Sequence, residues 1–275
     1  MSLMLDLTFR VRGQSVHLRI PEDRVFVPHL GSLLGASQLR IRPGETFCDV
    51  GAGSGFFAIL AAKLGAAFAY GVDISADAAA NARRNARLNG VADRCRFFAG
   101  DFAEAFKRFD RKVDLIYSSL PNTPTGSPLL QEPAMIGAPR ISRFLQGGET
   151  GAELNLRMFE AARAILSPSG RIQLNVVAWS DAAAVENALR REGFRLRTLA
   201  KASIPIWGQR CNVMGAYFAR ALEQEWRLSY RDLPEDPSNW MRIIQASREA
   251  GAGRERSFPA EVGIRVNRDR RDRKR

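Results

Sequence analysis

Thr46-Phe47-Cys48-Asp49-Val50-Gly51-Ala52-Gly53-Ser54-Gly55-Phe56-Phe57 is the stretch whose reading decides the fold. The residues up to Val50 read as a buried strand, the three alternate glycines as a tight turn, and the run from Phe56 as the start of a helix. Glycine carries no Cβ, so such a turn lets the backbone approach a ligand closely. The helix that follows points its unpaired N–H groups at the same place.

Upstream, residues 3–12 and 15–20 alternate apolar and polar around Arg12-Gly13-Gln14, the pattern of a β-hairpin. Val25 to His29 is a connector, and Leu30 to Leu39 reads as a helix that walls or lids the glycine turn. Downstream, helices from Phe56 and from Ser75 or Asp77 alternate with strands at Ala69–Ile74, Cys95–Ala99 and Val113–Tyr117. A helix through Leu154, Met158, Ala162 and Ile165 and another capped by Asp181 flank a fifth strand at Arg171–Val177. Phe194–Ala200 and Val213–Ala219 complete the set as an antiparallel pair. This alternation predicts an α/β fold with a doubly wound, seven-stranded, mostly parallel sheet and an antiparallel last strand.

The expected organisation is an N-terminal hairpin segment over residues 1–24, an α/β domain over 25–222, and an extension over 223–275. In that extension Glu223–Tyr230 and Asn239–Ala250 read as helical, and the remainder as basic and mobile. The Pro-, Gly- and Ser-rich segment Thr123–Gly151 is long for a connection and is the candidate substrate loop.

Composition narrows the function classes. The 275 residues are 45% hydrophobic and 25% charged, with no apolar run of about 18 residues and no secretory pattern, so a cytoplasmic protein without membrane association is expected. The three cysteines are far apart and make neither a disulfide framework nor a metal-ligand spacing. There are 41 Lys plus Arg against 29 Asp plus Glu, a net charge of +12, which suits an anionic partner, nucleic acid included. Arg265–Arg275 alone holds seven basic and two acidic residues.

In an open parallel sheet the ligand crevice lies at the carboxyl ends of the strands. Asp73 ends one strand 22 residues after Gly51 (73 − 51), where a carboxylate accepts hydrogen bonds from vicinal ribose hydroxyls. Asp101 and Phe102 follow another, placed to accept from an adenine amino group and to cover a ring face. A dinucleotide site would need a third glycine at position 56, which is Phe, and no Gly-Lys-Ser/Thr follows for a kinase-type phosphate loop.

Taken together, Asp49-Val50-Gly51-Ala52-Gly53-Ser54-Gly55, Gly71-Val72-Asp73, Gly100-Asp101-Phe102 and Asp114-Leu115-Ile116-Tyr117 resemble the class I S-adenosylmethionine-dependent methyltransferases over residues 25–220. The resemblance implies S-adenosylmethionine as cofactor, with Gly51, Gly53 and Gly55 lining its methionine part, Asp73 holding the ribose, and Asp101 with Phe102 at the adenine. Asp49, Ala52, Ile74 and Ser118 complete the implied cofactor set.

Within the class the chain looks nearest to the release-factor glutamine methyltransferases and related small-domain enzymes. Its fourth strand runs into a Pro-containing loop, and Gly147-Gly148-Glu149-Thr150-Gly151 precedes the next helix. That group carries Asn-Pro-Pro-Tyr after the fourth strand; here the register gives Ser119-Leu120-Pro121-Asn122, which departs at three of four positions. Ser119, Pro121 and Asn122 are the catalytic-loop residues that the resemblance implies. The expected activity is metal-free methyl transfer to a nucleophile, nitrogen first, on a protein side chain or small metabolite. Alternatives are an RNA or DNA base methyltransferase and a non-catalytic S-adenosylmethionine-binding partner protein. His17 and His29 are the conventional neutral-pH bases, and fold analogy adds Trp207 and Arg210 as substrate contacts.

Overall fold

The computed structural model describes residues 4–21, 23–130, 145–203, 226–229, 240–248 and 261–266. In chain order the elements are β1 (Met4–Val11), β2 (Gln14–Pro21), α1 (Leu30–Gln38), β3 (Thr46–Val50), α2 (Phe56–Lys63), β4 (Phe68–Asp73), α3 (Ala76–Leu88), β5 (Cys95–Ala99), α4 (Phe102–Phe106) and β6 (Val113–Ser118). They continue with α5 (Glu153–Ala162), β7 (Leu166–Val177), α6 (Ala182–Arg191), β8 (Arg195–Ser203), β9 (Trp226–Ser229), β10 (Trp240–Ser247) and β11 (Glu261–Val266).

Seven strands form one sheet in the order β5-β4-β3-β6-β7-β10-β8. The first five pair in parallel, and β10 inserts antiparallel to both β7 and β8. The doubly wound α/β sheet with an antiparallel last strand is therefore present. That last strand is Trp240–Ser247, where a helix was expected. The reason is burial on both faces: Met241 and Ile243 enter the apolar layer on one side, Ile244 and Ala246 the layer on the other. Such a strand shows no polar alternation, so its apolar spacing mimics a helix. The strand proposed at Val213–Ala219 lies outside the described residues, as do Cys211, Trp207 and Arg210.

Residues 226–229, expected to be helical, form β9, and residues 261–266, expected to be mobile, form β11. Both join the N-terminal hairpin in a second, antiparallel sheet of order β2-β1-β11-β9. The hairpin itself turns through Arg12 and Gly13, at φ 51° and 78°, the mirror-image turn that matches strand twist.

One face of the large sheet carries the hairpin, α1, α2 and α3; the other carries α4, α5 and α6. The hairpin is held to α3 by side chains. Asn81 donates to the Arg19 carbonyl (2.8 Å), Asn85 accepts from the Arg19 N–H (3.0 Å), and Asn89 both accepts from the His17 N–H (2.9 Å) and donates to its carbonyl (2.6 Å). Spaced four apart, these asparagines lie on one helical face. Asn85 also donates to the Ser54 carbonyl in the glycine turn (2.9 Å), tying hairpin, helix and turn together.

Candidate active site

The strand-to-helix turn after β3 takes the form its glycines allow. Gly51, Gly53 and Gly55 have φ of 82°, 51° and 84°, in the left-handed region that costs other residues strain. The turn is fixed by N–H bonds from Gly51 and Ala52 to the Val72 carbonyl, at 2.9 and 3.0 Å. It opens onto a cavity of about 350 Å³ at the carboxyl ends of the strands.

Half of that cavity lies over β3, β4 and β5. Asp73 accepts from the N–H groups of Gly53 (2.8 Å) and Ser75 (2.9 Å), one on each carboxylate oxygen, which leaves each oxygen a further lone pair. Burial pushes its carboxyl above the ordinary range, and the two backbone donors oppose that shift. Ile74, next in the chain, is 72% exposed and lines the cavity, an apolar face presented to it. Across the gap, Phe102 is buried at the start of α4. Asp101 caps α4 through the Ala103 N–H (2.9 Å) and pairs with Arg157 (3.0 Å), whose guanidinium lies 5.3 Å from the Phe102 ring centroid. Two free lone-pair positions on one carboxylate, flanked by an exposed isoleucine and an aromatic ring, fit a nucleoside with vicinal hydroxyls and a planar base.

The other half lies over β6, β7 and β10 and is closed by the segment entering α1. The loop after β6 brings Ser119, Leu120, Pro121 and Asn122 to the wall. Its backbone is locked by the glycine-rich segment expected to precede α5. A Cβ on Gly147 would fall 2.6 Å from the Pro121 carbonyl oxygen, and one on Gly151 would fall 2.4 Å from that of Asn122. Thr123 and Gln146 pair as a parallel bridge, with Thr123 N–H donating to Leu145 (2.9 Å) and Gly147 N–H to Thr123 (2.8 Å). Asn175 from β7, Trp179 beyond it and Met241 from β10 complete this side.

Of the sequence-derived set, Gly51, Ala52, Gly53, Asp73, Ile74, Asp101, Phe102, Ser119, Pro121 and Asn122 all line the cavity. Asp49, Gly55 and Ser118 stand behind its wall. Gly55 is there for packing, since a Cβ would meet that of Ala82 at 2.9 Å. The Ser118 hydroxyl bonds Asn155 (2.9 Å) in the interior. Asp49 is fully buried and accepts from the Ala58 N–H (3.3 Å) in the first turns of α2. Burial, with a smaller contribution from Asp73, pushes its carboxyl up to about 8, so it is largely protonated at neutral pH.

The two histidines separate. His17 lies in the hairpin, its Nδ1 2.8 Å from the Thr8 hydroxyl. His29 lines the cavity as the N-cap of α1, where its Nδ1 accepts from the Gly31 N–H (2.9 Å). That bond places the proton of the neutral ring on Nε2, so His29 offers a donor there rather than a base. Gln146, Asn175, Trp179 and Met241 were not among the sequence-derived candidates. They converge from three separated stretches, and no local sequence pattern singled any of them out.

A family model described as a methyltransferase domain matches residues 41–179, half of the chain. The chain is 43% identical over 77 residues to a ribosomal protein L11 methyltransferase of Actinobacillus succinogenes, covering 28% of this chain and 25% of that one. It is 35% identical over 176 residues to a release factor glutamine methyltransferase of Chlorobaculum tepidum, covering 62% and 58%. The matches thus span between a quarter and somewhat over half the length of these relatives. The fold is similar to the crystal structure of a ribosomal protein L11 methylase from Lactobacillus delbrueckii subsp. bulgaricus, with TM-score 0.50, 20% identity, and coverage of 84% of this chain and 86% of that one. The glycine turn, the strand-end carboxylates and this match agree: the chain belongs to the methyltransferase domain family, with the class I S-adenosylmethionine-dependent fold.

Proposed function

We propose that this protein transfers the methyl group of S-adenosylmethionine to a nitrogen of a protein side chain or a small metabolite. The observation that carries the reading is the single cavity wall shared by Asp73, Ile74 and the glycine turn on one side and by the Ser119–Asn122 loop on the other. In the proposed assignment Gly51, Ala52 and Gly53 face the methionine part, Asp73 accepts from the ribose hydroxyls, and Ile74 and Phe102 enclose the adenine beside Asp101. The bound cofactor supplies a methyl on a sulfonium that leaves as a neutral thioether once the acceptor's lone pair forms the new N–C bond. The protein's task is alignment and exclusion of water. Ser119, Pro121 and Asn122 hold the acceptor in line, on a backbone that Gly147 and Gly151 keep from shifting. The nitrogen's proton passes to water after transfer, which suits a wall whose one histidine is a donor.

Nucleic acid as acceptor has the net charge of +12 in its favour. Against it, the one basic side chain among the described residues of the cavity wall, Arg157, is engaged by Asp101. Isothermal calorimetry with S-adenosylhomocysteine tests the cofactor site: binding is expected, and Asp73→Ala should weaken it by about 1–3 kcal/mol. Absence of binding would end the proposal. Labelled methyl donor offered with peptide, metabolite and RNA panels then separates the acceptors, and incorporation into RNA alone would replace the nitrogen-of-protein reading.

A further inference from the structure

β5 is an outer strand of the large sheet, and the face it shares with α4 carries an aromatic bed toward the amino ends of the strands. Phe68 and Tyr70 alternate along β4, and Phe98 stands on the same side of β5. Phe109, from the segment between α4 and β6, stacks on Tyr70 at 3.9 Å and lies 5.5 Å from Phe98. Phe68 and Phe98 are buried, and three guanidiniums cover them. Arg111 lies 4.8 Å and Arg96 5.6 Å from the Phe68 centroid, and Arg108 lies 4.6 Å from that of Phe98. All three arginines are exposed. From the other face of the sheet, Arg83 of α3 reaches β5 and donates to the Phe97 carbonyl (2.7 Å).

A ring takes the face of a guanidinium and none of its N–H donors, which spread toward the rim. Arg96 spends part of its fork on Asp110 (3.1 Å), whose other oxygen accepts from the Tyr70 hydroxyl. Arg108 and Arg111 keep their forks in solvent while the rings beneath restrict their movement. Arg96 and Arg111 share one ring, and an anion set between them would offset their mutual repulsion. The guanidinium fork matches a phosphate through two parallel bonds. The free side of a stacked guanidinium is in turn a platform for a nucleic-acid base. A peptide carboxylate would use the fork alone, and a membrane surface would call for apolar side chains outermost, whereas here the rings lie beneath the arginines. The net charge of +12 draws polyanions to the molecule.

From this arrangement we propose that the β5 edge is an anchoring surface for single-stranded nucleic acid, with phosphates in the forks of Arg108 and Arg111 and bases against their planes. It lies away from the cavity. Phe68 opens β4 and Asp73 closes it at the cavity wall, and the two ends of that strand are about 16 Å apart. The chain held here is therefore an anchor rather than the methyl acceptor, and the inference stands apart from the methyltransferase reading above.

The test is fluorescence anisotropy of the full chain with a labelled oligouridylate of about 12 nucleotides, at about 50 and about 200 mM salt. The native protein should bind saturably, and more weakly at the higher salt. Combining Arg108→Gln with Arg111→Gln should weaken binding about tenfold or more and make the logarithmic salt dependence shallower by about 1.4, or about 0.7 per phosphate released. S-adenosylhomocysteine affinity and circular dichroism should stay native in that variant. Arg108→Lys with Arg111→Lys keeps the charge and loses the plane, so it should remain at least about threefold weaker than native. Each glutamine substitution alone repeats the test, with about half the change in slope, should the double variant fail to fold. No binding by the native protein, binding that the glutamine variants leave unchanged, native affinity in the lysine variant, or displacement by polyglutamate as effective as by unlabelled oligouridylate would each overturn the proposal. Loss of S-adenosylhomocysteine binding in a folded glutamine variant would overturn the separation of this surface from the cavity.

Discussion

The two halves of the cavity are built by opposite means. Over β3, β4 and β5 the wall comes from short contiguous runs, each a strand end followed by one or two functional residues, and its atoms are fixed by backbone bonds such as Gly53 and Ser75 to Asp73. Over β6, β7 and β10 the wall is assembled from the α1 entrance, the Ser119–Asn122 loop, Gln146, Asn175, Trp179 and Met241, brought together only by the sheet order. A cofactor common to a family can be held by a local motif. The other half depends on residues far apart in the sequence.

The sharpest way to break this contrast is at the turn. Gly51→Val places a β-branched residue at φ 82°, a strain of about 1–3 kcal/mol. Cofactor affinity should fall by roughly 100-fold, measured by calorimetry on protein whose circular dichroism is native; an unchanged affinity would detach the turn from the cofactor. Asn122→Ala probes the other half. It should lower the turnover of an identified acceptor by about tenfold and leave cofactor affinity unaltered, whereas an equal loss in both would mean that the halves are not separable.

Asp49 sits beneath the boundary and gives a pH signature. Its folded carboxyl, raised to about 8, lies above the unfolded value of about 3.9. The folded state therefore holds the proton more tightly, and stability contributed by the neutral group is lost as pH rises from about 4 through about 8. Asp49→Asn, neutral throughout, should flatten that decline in thermal melts across this window, and a slope identical to the native one would assign it elsewhere. The smallest effect belongs to Arg157→Ala. The Arg157–Asp101 pair is half exposed and screened, so calorimetry should show cofactor affinity changing by about 1 kcal/mol or less; a larger loss would move Arg157 into the cofactor site proper.

The contrast also explains what the sequence could reveal. The parallel core, the hairpin and the capped helices were legible because each is set by local periodicity and by terminal residues: Asp181 caps α6 as expected, and of the two candidates for α3, Ser75 and Asp77, it is Ser75 that caps. Asp73, Ile74 and Phe102 were legible because each follows a recognisable strand. β10 was not, because a strand buried on both faces loses its alternation, and β11 was not, because its partner β1 lies at the other end of the chain. Asn175 escaped for a related reason: in a sequence a polar residue in a strand looks like any outward-facing position, and only the folded sheet brings it to the cavity wall. Asp49 and Ser118 show the reverse error, since being next to a motif placed them in the site set although they face the interior.

The asparagines of α3 carry a further consequence. β2 is an outer strand of its sheet, and a bare strand edge is a template on which another chain can add itself. Here the outward N–H and carbonyl groups of His17 and Arg19 are already occupied by Asn81, Asn85 and Asn89. A helix thus serves as the missing neighbour strand, and recruitment of a foreign strand there requires peeling α3 from the hairpin. Because Asn85 also holds the Ser54 carbonyl, that same peeling would loosen the glycine turn on the cavity wall. The strand edge and the cavity wall in this way share one of these three side chains, Asn85.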